Sequence, residues 1–579
     1  SAIRLMSLMV SGGMVGVNAC IAVLQVFSQS NAVLAGSVVK ATAPTGEANA
    51  PGYAVTVHSN MDFGQVMTAN GTLSGGVAAV NCSSAGTYFG GKTKAAIEGS
   101  GTIQNITGNI RVYTTGVTRA IGAAASAAAG VGSGNATFLM AVNRSTAETY
   151  IGRDVTITAK NSDVEVFHNI TAEARAYNIA LSGGLVAVNA NVVLIINNFV
   201  AHSWIGDPSD TTLSSESGKL TAKNVRVSAY ANTVTEGIGT AAAAGGVAGN
   251  ALVALAFNTT GNKASVARKN ITADCLTITS TIDGDTTIWA TSLAAGAVGF
   301  GAIVSAAFSE ADNTARLDLS NSVMEIDEVF IHAGTEEKPN NNQALVFGVP
   351  GAAGGVTANL NIGIARNSGY NRALVTGTGG SLTANSLQID AIGLGRAYAV
   401  LAGAAAGVLS AQVSVAVAYL KNVQEAKMDC QSVVNIQKGD TGLNGDVTVK
   451  STQKTSGSDF DFGVFELTVS KDNKKLGGTF TTMAQALVFT AGAGALTATA
   501  STANAISDAT SRALVRAEQL TAVNIEVTNN AESTAAANIG SIGFSLASEG
   551  LHSGFAYAKG TFEALVQTKG NLSDVKTNI

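Results

Sequence analysis

Two carboxylates two residues apart, Asp459 and Asp461 in SDFDFG, form a close acidic pair. Glycoside hydrolysis needs such a pair, one group as acid and the other as base or nucleophile. Here both aspartates fall in an irregular stretch, where aspartate usually serves as a solvated turn residue. Asp283 and Asp285 in IDGD read as a tight turn, because the further ligands of a calcium loop are missing. The five histidines, His58, His168, His202, His332 and His552, are scattered, with His58 and His332 beside alternating strands where a surface role is expected. Cys20, Cys82, Cys275 and Cys430 are too few and too dispersed for a disulfide scaffold or zinc site, and read as small buried hydrophobes. Nine N-x-S/T triplets (Asn70, Asn81, Asn105, Asn135, Asn143, Asn169, Asn258, Asn270 and Asn571) are as many as chance gives and argue nothing about glycosylation. No GxSxG, P-loop, HExxH or CxxC is present. The reading therefore assigns no catalytic, cofactor-binding or metal-binding residue and expects no enzyme and no cofactor.

Composition narrows the class. Charged residues are 13% of the chain and apolar residues 46%, with a net charge of −5. Disorder needs low hydrophobicity and high net charge, so it is excluded. Gly is abundant at 65 residues but follows no three-residue period, and Pro numbers only 5, which excludes collagen. The absence of a basic patch argues against nucleic acid.

What must position any function is a repeat. Ala/Gly-rich runs recur, each followed by a Val/Ala alternation and a closing Ala-x-aliphatic, as in LSGGLVAVNANVVLIINNFVAHSWI (residues 181–205). The closing aliphatics are Leu34, Ile97, Ile151, Ile205, Val266, Leu317, Val375, Met428, Val515 and Val566. Their spacings are 63, 54, 54, 61, 51, 58, 53, 87 and 51 residues, so the chain divides into about ten repeats of about 59 residues. Between the runs lie short alternating strands such as NIRVYT (109–114), DVTITA (154–159), NVRVSA (224–229) and CLTITS (275–280). Alternation of Val, Ile and Thr with polar residues is a half-buried β-strand. Polar segments near 43–52, 206–218, 335–343 and 456–480 read as loop insertions, and NTTGN (258–262) and SEADNT (309–314) as turns. Residues 1–579 are read as one continuous all-β unit, a β-solenoid (β-helix) whose low charge follows from stacking like positions in ladders about 4.8 Å apart. The length of each run favours one wide rung per repeat.

Uncharged runs such as residues 5–39, 176–206 and 397–420 are long enough to span a bilayer as helices. They alternate with a period of two, are rich in Gly, Ser, Thr and Asn, and lack aromatic girdles, so no membrane insertion is expected.

The alternation of VxVxA strands with AAGxxAVN-type runs resembles the repeat region of leukotoxin-like and filamentous-haemagglutinin-type adhesins. The resemblance covers nearly the whole chain as a repeat style and carries no functional residue. It implies a secreted, cell-surface β-solenoid for adhesion or matrix building, as in a biofilm, with surface glycans of a host or neighbouring cell as candidate partners. A carbohydrate-active right-handed β-helix enzyme or a polysaccharide-binding protein is the alternative.

The chain opens with SAIRLMSLMV, without a basic leader, so the reading expects either a removed leader or a piece of a longer protein. Both ends fall inside a repeat. The expectation drawn from this is head-to-tail stacking of identical chains into an extracellular filament, with Ala2, Ile3 and Leu5 of one subunit near Val575 and Ile579 of the next.

Overall fold

The computed structural model describes residues 2–43, 52–208, 218–437, 445–453, 468–469, 474–475, 483–568 and 572–578. Among them the chain is all-β, without a helix. Nearly every strand joins one sheet, and its pairings are parallel.

Register follows the repeat. Leu34 pairs with Ile97, Ile97 with Ile151, Ile151 with Ile205, Ile205 with Val266 and Val266 with Leu317. Leu317 then pairs with Val375, Val375 with Met428, Met428 with Val515 and Val515 with Val566. Each repeat thus pairs only with the next one, and one repeat is one wide rung. The 87-residue step keeps this register: pairing runs through Gln453 and resumes at Ala484, with Met428 still opposite Val515.

Each complete rung has a three-walled base and a long two-layered arm. In the fourth rung the short strand Thr156–Ala159 forms one wall and the start of Val164–Gly206 the second. The chain then runs out along the arm, reverses at Gly184 and returns to form the third wall, which ends at Ile205. Alternation points Ile157, Val164, Val166 and Ile205 inward, and all four are fully buried in one cluster that continues through the neighbouring rungs. Burial of each such side chain is worth about 1.5–3 kcal/mol, so the base is where hydrophobic burial holds the rungs in register.

The arm is built differently. Its inner positions mix Ala, Gly, Ser, Thr and Asn with a minority of larger apolar side chains such as Ile195, Leu252 and Ile303. The Asn258–Asn262 and Ser309–Thr314 segments are therefore strand rather than turn, with Asn258, Asn262, Ser309 and Asn313 buried. Asparagine is at home there because a stacked side-chain amide can donate and accept along the axis.

At the tip a column of glycines runs from rung to rung. A Cβ on Gly184 would lie 1.7 Å from the Gly130 carbonyl oxygen, one on Gly245 1.9 Å from that of Gly184, and one on Gly354 1.6 Å from that of Gly296. Backbone occupies the space a side chain would need, so only glycine lets successive tips close at strand spacing.

Two local expectations need correction. DVTITA does not join the column of NIRVYT and NVRVSA. Ile157 pairs with Ile103 and Leu220 in the short-strand wall, and VEVFHN takes the expected place, with Val164 between Ile110 and Val225. Both walls alternate identically because both line the same core. The loop near 335–343 is also shorter than expected: strand resumes at Asn340, and Asn341 pairs with Asp283. Most of the expected insertions near 43–52, 206–218 and 456–480 lie outside the described residues, though Thr468–Val469 and Lys474–Lys475 form a small antiparallel pair.

Candidate functional site

The chemistry-bearing residues do not converge. Asp459 and Asp461 lie outside the described residues. Asp283 and Asp285 sit in a continuous strand rather than a turn, paired in register with Asn341 and Gln343. Asp283 accepts a hydrogen bond from Asn341 at 3.0 Å and Asp285 one from Thr287 at 2.8 Å. Burial raises the Asp285 carboxyl above its usual range. Among the described residues no group of three His, Cys, Asp or Glu side chains could hold a metal ion.

The histidines serve the stack. His168 is buried between rungs, with Nδ1 2.8 Å from Ser203 Oγ and Nε2 2.6 Å from Asn262 Oδ1. Burial lowers its pKa to about 4. His202 lies against Trp204, 2.8 Å from Ser265 Oγ, and burial lowers it to about 3. His58 stacks on Tyr113 at 4.0 Å, and Tyr113 on Phe167 at 5.1 Å, a row of rings climbing the outside of the base. His332 Nδ1 lies 3.3 Å from Asp390 Oδ2. The four thiols are free; Cys20 and Cys430 are buried as expected, but Cys82 is exposed because its strand position points outward from the arm.

Charges climb the outer face of the arm's outgoing limb with alternating sign. Arg119 and Arg175 both meet Glu173 at 3.1 Å, and Arg175 also meets Glu236 at 3.1 Å. Stacking forces like positions together, so opposite signs in successive rungs replace repulsion with pairing. Lys269 was not foreseen in the sequence: it is fully buried, and its ammonium donates to the carbonyls of Arg153 and Val155, two rungs away. Burial lowers its pKa to about 7. Lys269 immediately precedes the strand Asn270–Asp318, and nothing in its sequence neighbourhood marks it as buried.

Inside the arm lies a ladder of asparagines. Asn18 donates to Asn81 at 3.1 Å, Asn81 to Asn135 and Asn135 to Asn189 at 2.9 Å, and Asn189 to Asn250 at 2.8 Å. The second amide hydrogen of each goes to a carbonyl on the facing limb, such as Leu73 from Asn18. The AVN of the repeat motif was the visible trace of this ladder. A second ladder links Asn262, Asn313, Asn371 and Gln424.

Two concave surfaces remain. A shallow groove near the arm tips is almost wholly apolar, between Leu181, Leu293 and Phe544. A polar groove follows one corner of the base past Lys223, Asp274, Glu325 and Asp327.

The most exposed backbone lies at the two ends. Ala2–Ser11, which carries Ala2, Ile3 and Leu5, pairs on one side only, with residues 65–74. At the other end Ala535–Thr568 pairs only with residues 484–517, and Leu572–Asn578 pairs with residues 522–528, Val575 opposite Ile525. Ile579 lies outside the described residues. Among the described residues no helix is long and apolar enough to cross a membrane. No protein-family model, curated protein or solved structure matches the chain, so its function is argued from this geometry alone.

Proposed function

We propose that the chain is a β-solenoid of ten wide rungs that stacks head to tail into an extracellular structural or adhesive filament at a cell surface. The observation that carries this reading is the unbroken one-repeat register, in which each rung offers a parallel edge to the next. Such an edge is a template for another strand of the same kind. Continuation in register would set Ile3 of one subunit over Ala535 of another and Leu5 over Ala537, since Ile3 shares a column with Ala120, Ala174, Ala484 and Ala535. Leu572–Asn578 and Ala2–Ser11 occupy different stations of a rung, so Val575 would share a rung with Ala2 at a separate station rather than lie above it. The polar groove beside Lys223 and Asp327 supports an adhesive contact with surface glycans.

Negative-stain imaging of the purified chain tests the reading. The expected result is filaments whose length collapses to single particles in the Ile3→Lys/Leu5→Lys variant, with the β-type circular dichroism retained. Filaments of normal length from that variant would overturn end-to-end mating.

A further inference from the structure

The returning limb of the arm sets its asparagines, serines and threonines inward, among alanines and a few aliphatics, and is apolar outward. Across the rungs that close at Ile205 to Val515, the outward row nearest the tip is Val186, Val247, Val298, Val356, Leu409 and Leu496, each 43–52% exposed. Further rows follow toward the base, including Ala190, Ala251 and Ala302, then Val192, Val253 and Val304. The last apolar row holds Ile196, Phe257, Phe308 and Tyr419, with Arg366 as the single charge on the whole face. Charges begin one row beyond, at Glu310, Lys421 and Asp508.

The size of this face demands a partner. At about 3.3 Å per residue and 4.8 Å per rung it measures about 35 Å by 30 Å. That is about 1,000 Å², where a soluble monomer seldom exposes more than a few hundred as one patch. A stable protein pair needs about 800 Å² from each side. The apolar centre with a charged row at its rim is the usual anatomy of such an interface.

Lipid would have to cover both limbs to equal depth. Thr68 donates to the Gly86 carbonyl across the arm at 2.9 Å, which sets the column of Ala176 opposite that of Leu194. At that depth the other limb already carries the Arg175–Glu236 pair on its outer face. A bilayer would desolvate these charges, whereas a protein partner on one face leaves them in water.

The occupant follows from side-chain volumes. Positions three residues either side of the midline are complementary in size in four successive rungs: Gly249 with Leu255, Phe300 with Ala306, Ala358 with Ile364, and Ala411 with Val417. A two-fold axis along the stacking direction, through that midline, brings each large residue of one face against the small one of an identical face. We propose that the outer face of the returning limb pairs with the same face of a second copy of this chain, about a two-fold axis parallel to the stack. The pairing leaves both end edges free and does not depend on head-to-tail stacking.

Cys82 provides the test, since it is exposed on this face, in the column of Ala190, and Ser84 lies in that of Val192. The two-fold sets Cys82 of one chain opposite Ser84 of the other. In the full chain carrying Ile3→Lys/Leu5→Lys, mild oxidation of Ser84→Cys should give a covalent dimer, while Thr240→Cys on the other limb should give none. By analytical ultracentrifugation Ala306→Phe should weaken association at least tenfold, and Phe300→Ala/Ala306→Phe should restore it. A monomer at micromolar concentration, or cross-linking through Thr240→Cys alone, would overturn the proposal. So would flotation with phosphatidylcholine vesicles without cross-linking of Ser84→Cys, which would name lipid as the occupant.

Discussion

Asn189 donates from Nδ2 to Asn250 Oδ1 at 2.8 Å and to the Ala242 carbonyl at 2.7 Å, while its own Oδ1 accepts from Asn135 at 2.9 Å. Every polar atom of one buried side chain is thereby committed to a neighbouring rung. Asn189→Ala would strand a donor on Asn135 and an acceptor on Asn250. The expected cost is about 2–4 kcal/mol, from two unsatisfied buried groups. Urea unfolding followed by circular dichroism checks it, and Asn189→Asp, which sets two acceptors facing each other, should cost more.

The tip glycines differ in what surrounds them. Gly354→Ala would force a methyl to within 1.6 Å of the Gly296 carbonyl and should destabilise the chain severely or block folding. Gly183→Ala adds a methyl to open space and should leave the melting temperature within a few degrees of the parent. Equal effects from the two would disprove the steric column.

His168 makes stability depend on pH. Its folded pKa of about 4 lies below the ordinary 6.5, so between those values the unfolded chain takes up a proton that the folded chain does not. Stability should be complete above pH 6.5, fall as pH drops, and level off below 4, with a loss from this residue of about 3 kcal/mol. His202, lowered to about 3, adds in the same direction. Thermal melts from pH 7 to 4 should show this decline, and His168→Gln should flatten it.

Lys269 should be costly to truncate. Lys269→Ala removes the donor that satisfies the carbonyls of Arg153 and Val155 and opens a cavity beside the core. A loss of about 2–4 kcal/mol is expected, from buried carbonyls left without a donor and from the cavity. Surface-lysine acylation should leave Lys269 unmodified in the folded chain, as peptide mass mapping would show.

Much of the architecture was legible because stacking converts sequence spacing directly into contact. The closing aliphatics could be found by eye, and the register joins each to the next. Alternation alone does not say which set of residues faces inward. In VAVNANVVLII both sets are uncharged, and only the stack reveals that Asn189 and Asn191 go inside while Val186 and Val188 go out. The same ambiguity hid the exposure of Cys82 and disguised Asn258 and Asn313 as turn residues. DVTITA and VEVFHN could not be told apart because two walls of one core impose one pattern. Lys269 was illegible because its carbonyl partners lie 114–116 residues away.

The one-repeat register also makes the molecule a ruler for force. Each rung is held only by the rungs beside it, so tension on the two termini should strip rungs singly from the ends. Spacings of 51 to 63 residues correspond to extensions of about 180–230 Å per event at full stretch, at about 3.6 Å per residue. The step from Met428 to Val515 releases 87 residues and about 310 Å, so one long interval would mark a single fixed place in every unwinding trace.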